Sequence, residues 1–569
     1  MNFYQFIIPR LNGKDIEKDF DYYLGLVKKG IAGFIIFGGK LEIVRQGISE
    51  LQEEAERPLI IASDLERGLG QQLEGGTIFP PAMAVAEAVK ENSKFKIQGS
   101  KLRLLRRTFK AIAIEAKYAG INTIFAPVLD INTNPKNPII STRAFGEDAE
   151  TVSFFGIEMI KAFQANGIAA CGKHFPGHGD TEIDSHIGLP LVKKDIQSLE
   201  KTEFAPFRGA VKAGVKMIML AHLKVPALDP SGIPVSLSEK AVRYLRDRMG
   251  FKGILITDAL NMNSLNSLRR LNRSKVLVEE EASLLALRAG VDLLLHPTDT
   301  ERVVSYLQQR FSVQPPADPP RRTNGCQLSA NTFRKSLRLA TEKIKTPAAP
   351  DFGKNRRLSE KIIKMSIKID GQIRPLKKPF LIILNDAKDK KGNPLISALR
   401  LSHRNLKYLR VNDGDDSRLR SINDRELIVA VFSSIKAWKG GPSPWLLKCI
   451  KELEDKADIF ISFGSPYILD AIGKRIGDYP GFFSSANPLS SASRPRRPEC
   501  GTGTTPFKSP LTKGDLKGCR IGTVPIVKVY AWWDSDSAQK AVAEALWGLR
   551  QKSRYFENPS LEKRGEGRF

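Results

Sequence analysis

The stretch Gly172–Pro190, GKHFPGHGDTEIDSHIGLP, gathers Lys173, His174, His178, Asp184 and His186 within a few turns of chain. Pro176, Gly177 and Gly179 impose a loop of unusual backbone geometry after Lys173 and His174. Asp184 and His186 are two residues apart, so in a turn or an extended loop the carboxylate can accept the imidazole N–H. That bond fixes the tautomer and stabilises the imidazolium, which suits histidine to moving a proton near neutral pH. His174, His178, Asp184 and His186 are also possible metal ligands, but their spacing matches none of the familiar zinc patterns, so no metal is expected. The five cysteines are scattered without a CxxC pair and imply neither a disulfide framework nor a zinc site.

These side chains need elements to hold them. The first ~300 residues alternate short apolar runs with amphipathic stretches, as parallel strands with crossover helices do. Candidate strands are Gln5–Pro9, Gly33–Phe37, Leu59–Ser63, Ile121–Val128, Ile168–Lys173, Lys216–His222, Gly253–Asp258 and Val291–His296. Their richness in Ile, Val and Leu fits strands buried on both faces. The count favours a (β/α)8 barrel; an open doubly wound sheet has the same rhythm. In a barrel the carboxyl ends of the strands share one mouth. Those ends carry Asp64, Asp130, Lys173 with His174, His222, Asp258 and His296.

The expected organisation is an α/β chain with a TIM-type barrel over 1–311, a proline-rich linker and connecting helices over 312–370, and an αβα sandwich over 371–550. Further strands are expected at Phe380–Asn385, Leu427–Phe432, Ile459–Phe463 and Val524–Tyr530, helices at Asn331–Lys345, Leu358–Ile369 and Ser537–Leu549. A Ser-, Pro-, Gly- and Lys/Arg-rich insertion at 481–521 is expected to be disordered, and 551–569 to form a polar tail.

The net charge of +27 invites a nucleic-acid reading. The basic residues are spread along the chain, however, and no helix-turn-helix, zinc-finger or RNP pattern occurs, so nucleic acid is not an expected partner. The charge would equally attract anionic substrates such as cell-wall fragments. With no apolar run of ~18 residues, no membrane span is expected. The N-terminal sequence lacks a signal-peptide pattern, which makes a cytoplasmic enzyme the expectation.

The KHFPGHGDTEIDSH stretch closely resembles the signature loop of the NagZ-type β-N-acetylhexosaminidases of glycoside hydrolase family 3, enzymes of cell-wall recycling. Further landmarks follow in that family's order: FGGK (37–40), SDLERG (63–68), GGTIFPPAMAVA (75–86), INTIFAPVLDINTNPKNPIISTRAFGED (121–148), GFKGILITDALNM (250–262) and LRAGVDLLLHP (287–297). SFGSPYIL (462–469) and KAVAEALWG (540–548) resemble the sandwich domain of longer members. The resemblance implies Asp258 as nucleophile and Asp184 with His186 as a general acid/base dyad. It implies Asp64, Arg143, Lys173 and His174 as residues holding the sugar's hydroxyls. A loop-anchoring salt bridge for Arg143 and a strand-end cap for Asp64 stay open. The implied activity is retaining hydrolysis of terminal β-linked N-acetylglucosamine from muropeptide or chitin-type saccharides, without cofactor and with the whole catalytic set on the barrel. Phosphorolysis, another β-glycosidase activity and a non-catalytic sugar-binding barrel are the alternatives. Four positions depart from the family pattern and bear on specificity: Ala259 replaces a second carboxylate, Leu65 and Arg67 interrupt the Asp-Gln-Glu-Gly-Gly segment, and Gln72 stands where many members have a sugar-binding arginine.

Overall fold

The computed structural model describes residues 1–90, 97–181, 188–267, 278–313, 348–373, 376–385, 392–412, 417–419, 422, 426–433, 442–472 and 526–557. Asp184, His186, the helix expected at 331–345, the insertion expected at 481–521 and most of the expected tail lie outside these residues.

The first sheet comprises β1 (Ile7–Ile8), β2 (Arg10–Asn12), β3 (Gly33–Phe37), β4 (Ile60–Ser63), β5 (Thr123–Ile124), β6 (Ala169–Phe175), β7 (Met217–Leu220), β8 (Ile254–Ala259) and β9 (Leu293–Leu295). Every pairing is parallel, running from β2 through β3 to β9 and back to β1. β1 and β2 are one barrel strand broken at Pro9, whose carbonyl still accepts the Ile35 amide at 2.9 Å. Proline has no N–H to give a ladder, so the break falls there. The count of eight barrel strands therefore agrees with the sequence, but the expected strand Gln5–Pro9 does not: Phe3–Phe6 forms a 3-10 turn capped by the Asn2 side chain. The expected strand Ile121–Val128 shrinks to two residues before the cis Ala126–Pro127 peptide.

Alternation along the strands sorts side chains into two layers. Ile8, Ile35, Ile60, Ala62, Cys171, Met217, Met219, Ile254 and Ile256 fill the barrel interior. Their neighbours Phe34, Ile36, Ile61, Ile218 and Leu255 pack outward under the helices. Helix Leu41–Glu53 shows the matching pattern, burying Leu41, Val44, Ile48 and Leu51 at helical spacing. Two residues beyond the last apolar interior position of their strands stand Asp64, Lys173 and Asp258. The same period-2 rule that fills the core aims these three charges into the carboxyl mouth.

The second sheet holds β10 (Lys368–Asp370), β11 (Phe380–Asn385), β12 (Lys407–Asn412), β13 (Leu427–Ser433), β14 (Ile459–Gly464) and β15 (Val527–Tyr530) in the order β10-β15-β14-β13-β11-β12. All pairs are parallel except β10 with β15. Leu381, Ile383 and Val529 pack on one face with helices Asn393–Ser402 and Asp536–Glu557. Ile382, Leu384 and Val429 pack on the other with helix Pro444–Leu453, so the unit is an αβα sandwich. β12, a partly exposed edge strand, and β10 were not expected from sequence. Helix Phe352–Ser366 joins the two units. Its Ser359 hydroxyl donates to the Ile78 carbonyl at 2.8 Å, and its Asn355 amide reaches Glu115 at 2.7 Å.

Candidate active site

Four charges converge at the barrel mouth. The Lys173 ammonium lies 2.6 Å from Asp64 and 2.7 Å from Glu66. Arg143 grips the same Glu66 in bidentate fashion, Nη2 to Oε1 at 2.7 Å and Nε to Oε2 at 3.0 Å. Burial opposes ionisation of Glu66, but the two cations outweigh it and hold the carboxyl well below its usual range. Burial likewise works against Lys173 and Arg143, and their carboxylate partners hold both above their ordinary values. Glu66, Lys173 and Arg143 thus remain charged and paired, which is how buried charges are tolerated. Asp64 and Arg143 each keep 27% of the side chain exposed against 9% for Glu66 and 2% for Lys173, so Asp64 and Arg143 are the members open to a ligand.

Asp130 organises the neighbouring loop. Its Oδ2 accepts from His174 Nδ1 at 2.7 Å, and its Oδ1 accepts the backbone amides of His174 (3.2 Å) and His178 (2.7 Å). Burial pushes against this carboxylate, yet His174 and these donors hold it below its usual range, so it fixes the His174 proton on Nδ1. The glycines of this loop are demanded by space. A Cβ on Gly179 would sit 1.7 Å from the Ile131 carbonyl, and Gly177 has φ +134.

His178 is buried, with Nδ1 2.8 Å from the Thr181 hydroxyl and Nε2 enclosed without a hydrogen-bond partner among the described residues. Burial pulls its pKa from 6.5 to about 4, so it is neutral at pH 7. Between pH 6.5 and 4 the unfolded chain binds a proton at this position that the folded chain refuses. Stability is therefore intact above pH 6.5 and falls as the pH drops toward 4, by on the order of 3 kcal/mol for this group. Thermal unfolding of the wild type should show that fall, and His178→Gln should flatten it. An equally steep fall in the variant would shift the effect to other groups.

Asp258 ends β8, with Oδ1 accepting the Ala259 amide at 2.8 Å. Behind it, His222 Nε2 donates to the Ala259 carbonyl at 3.1 Å, which leaves Nδ1 to accept from the Ser236 hydroxyl at 2.6 Å. His222 thus braces the strand end. Cys171 faces the same interior, but burial pushes its thiol far above its usual range, which removes it as a nucleophile. His296 has φ +51 and its ring centroid lies 5.8 Å from that of Phe37. Among the described residues no group of three or more His, Cys, Asp or Glu side chains is placed to hold a metal.

Of the expected site residues, Asp64 and Lys173 are joined directly, Arg143 joins them through Glu66, and His174 adjoins Lys173. Arg143 makes the loop-anchoring salt bridge left open as an alternative. Asp64 serves as the Lys173 partner. The hub, Glu66, escaped the sequence reading. The signal was there: a second carboxylate at i+2 from a strand-end aspartate shares its side of an extended segment. From sequence Asp130 is only a strand-end carboxylate; its role needs the tertiary contact with the 173–181 loop.

Residues 19–313 match the N-terminal domain of glycosyl hydrolase family 3. The chain is 32% identical over 348 residues to a β-hexosaminidase A of Pseudoalteromonas piscicida, covering 52% of this chain and 56% of that protein. It is 31% identical over 298 residues to a β-N-acetylglucosaminidase/β-glucosidase of Cellulomonas fimi, covering 50% of each. The chain thus matches only about half the length of these curated relatives. A family 3 β-N-acetylglucosaminidase structure from Paenibacillus sp. FPU-7 superposes with a TM-score of 0.72 at 24% identity, covering 96% of both chains, which extends the likeness of fold to both domains.

Proposed function

The chain belongs to glycosyl hydrolase family 3, and from that premise we propose that it is a retaining β-N-acetylhexosaminidase with Asp258 as nucleophile. The observation that supports this reading best is the shared inward layer of Asp64, Lys173 and Asp258, which sets a carboxylate beside charged hydroxyl-binding groups in one mouth. In this mechanism Asp64, Lys173, His174 and Arg143 hold the glycone. Asp258 attacks the anomeric carbon, and His186, oriented by Asp184, protonates the departing oxygen. His186 then takes a proton from water as that water displaces Asp258, so two inversions leave the configuration retained. The residues drawn into these steps need no cofactor. The finer reading is terminal β-linked N-acetylglucosamine on muropeptide or chitin-type saccharides in the cytoplasm. The +27 charge supports anionic wall fragments.

Phosphorolysis is the second reading. A histidine acid/base tolerates an anionic acceptor better than a second carboxylate would. Aryl β-N-acetylglucosaminide and aryl β-glucoside, each with and without phosphate, test both. Faster release from the N-acetyl substrate, with free sugar as product in phosphate, is the expected result. A sugar 1-phosphate would make the protein a phosphorylase, and preference for the glucoside would remove the N-acetyl specificity.

A further inference from the structure

We infer that Tyr467 and Trp533, both on the second domain, are positioning residues for the glycone-holding cluster of the barrel. The inference rests on the proposed function for its substrate, and on contacts alone for its geometry. The Tyr467 hydroxyl donates to Glu147 at 2.7 Å and accepts from Asn132 Nδ2 at 2.9 Å. The other end of that Asn132 amide, Oδ1, accepts the Ser141 backbone N–H at 3.0 Å. Ser141 has φ +39, a conformation a non-glycine residue holds only when its surroundings impose it. Ser141 opens the 3-10 turn that ends on Arg143. A tyrosine of one domain thus orients the amide that pins the turn presenting the Glu66-binding arginine of the other.

Trp533 approaches the same cluster from the neighbouring loop. Its ring lies 4.0 Å from the Arg67 guanidinium carbon, one residue past Glu66. Arg67 Nε donates to the Phe79 carbonyl at 3.2 Å, while Nη2 is buried without a hydrogen bond among the described residues. The indole face and the charges of Asp534, next to Trp533 in sequence, and Glu66 together oppose the cost of burying this cation. Trp532 fixes the approach: it packs on Met83 and Ala84 and donates from Nε1 to the Ser366 carbonyl at 2.8 Å. Both halves of the Arg143–Glu66–Lys173 arrangement are consequently buttressed from outside the barrel. The barrel supplies the groups that touch substrate, and the second domain sets their positions.

The test uses the full chain. Tyr467→Phe removes one hydroxyl and should raise KM for an aryl β-N-acetylglucosaminide by roughly 5-fold, the size of one net hydrogen bond. Because the cluster holds the glycone equally in ground and transition states, kcat should stay within about twofold. Trp533→Leu should raise KM similarly and Trp533→Phe should restore most of it, since an aromatic face keeps the cation–π contact that leucine removes while Asp534 and Glu66 are the same in both variants. Hydrogen exchange gives a second readout that needs no substrate: amides of 138–147 should exchange faster in Tyr467→Phe while those of β11 and β13 do not change. Unchanged KM with unchanged exchange at 138–147 overturns the inference, as does loosening confined to the second sheet. Equal KM for Trp533→Leu and Trp533→Phe removes Trp533 from it. If the wild type turns over no N-acetylglucosaminide, the functional reading fails, and the exchange measurement still decides the positioning.

Discussion

Asp258→Asn should lower turnover of every β-N-acetylglucosaminide, aryl or natural, by at least about 10³-fold, because the substitution removes the nucleophile whatever group is leaving. The carboxamide has nearly the shape of the carboxylate and keeps an oxygen to accept the Ala259 amide, so the strand end should not move. Its position is also braced by the His222 contact to the Ala259 carbonyl. The loss is therefore chemical, and it should leave the thermal midpoint within a few degrees of wild type. Steady-state rates on nitrophenyl and disaccharide substrates, with circular dichroism as the folding control, check it. A loss smaller than tenfold on either substrate, with the fold intact, would take the nucleophile away from Asp258.

His186→Ala should show the opposite dependence on leaving group. A proton donor matters most when the departing oxygen is basic and contributes roughly 10²–10⁴-fold there. The variant should lose about that much on a natural disaccharide and far less on a nitrophenyl glycoside, whose phenolate departs unaided. With the activated substrate it should accumulate glycosyl-enzyme, since activation of water in the second step is impaired as well. A pre-steady-state burst of phenolate, absent from wild type, would report that accumulation. Asp184→Ala should give a milder form of the same pattern, because His186 persists without its orienting carboxylate. Equal losses on both substrate classes would move the acid/base role elsewhere and leave Asp258 as the firmer assignment.

Much of the barrel was legible because its strands are buried on both faces. GFIIF at 33–37 and LIIAS at 59–63 admit few readings besides an interior parallel strand, and both lie where expected. KYLRVN at 407–412 does not read as a strand because an edge strand needs only alternate residues buried: Leu409 and Val411 are buried, Lys407 and Tyr408 exposed and Arg410 half-buried. At the N-terminus the apolar content of Gln5–Pro9 suggested a continuous strand. Local capping by Asn2 and the missing amide of Pro9 turned it instead into a 3-10 turn and a broken strand.

The sequence by itself determined which charges face the mouth. Asp64, Lys173 and Asp258 each follow an apolar run by the strand's own period, and that alternation is a local property of the backbone. It also marked the loop of 173–181, where Pro176 fixes one φ and Gly177 and Gly179 permit backbone that other residues cannot adopt. Only the tertiary structure decided how those charges are paired. Glu66 meets Arg143 across 77 positions of sequence and Lys173 from another strand. Asp130 meets His174 across 44. Tyr467 reaches Asn132 across 335, from a separate domain. Periodicity specifies the direction of a side chain relative to its own strand, whereas an ion pair or hydrogen bond requires a position relative to other strands. That position comes from barrel closure and from the docking of the sandwich on the barrel, both set by the packing of many apolar side chains at once.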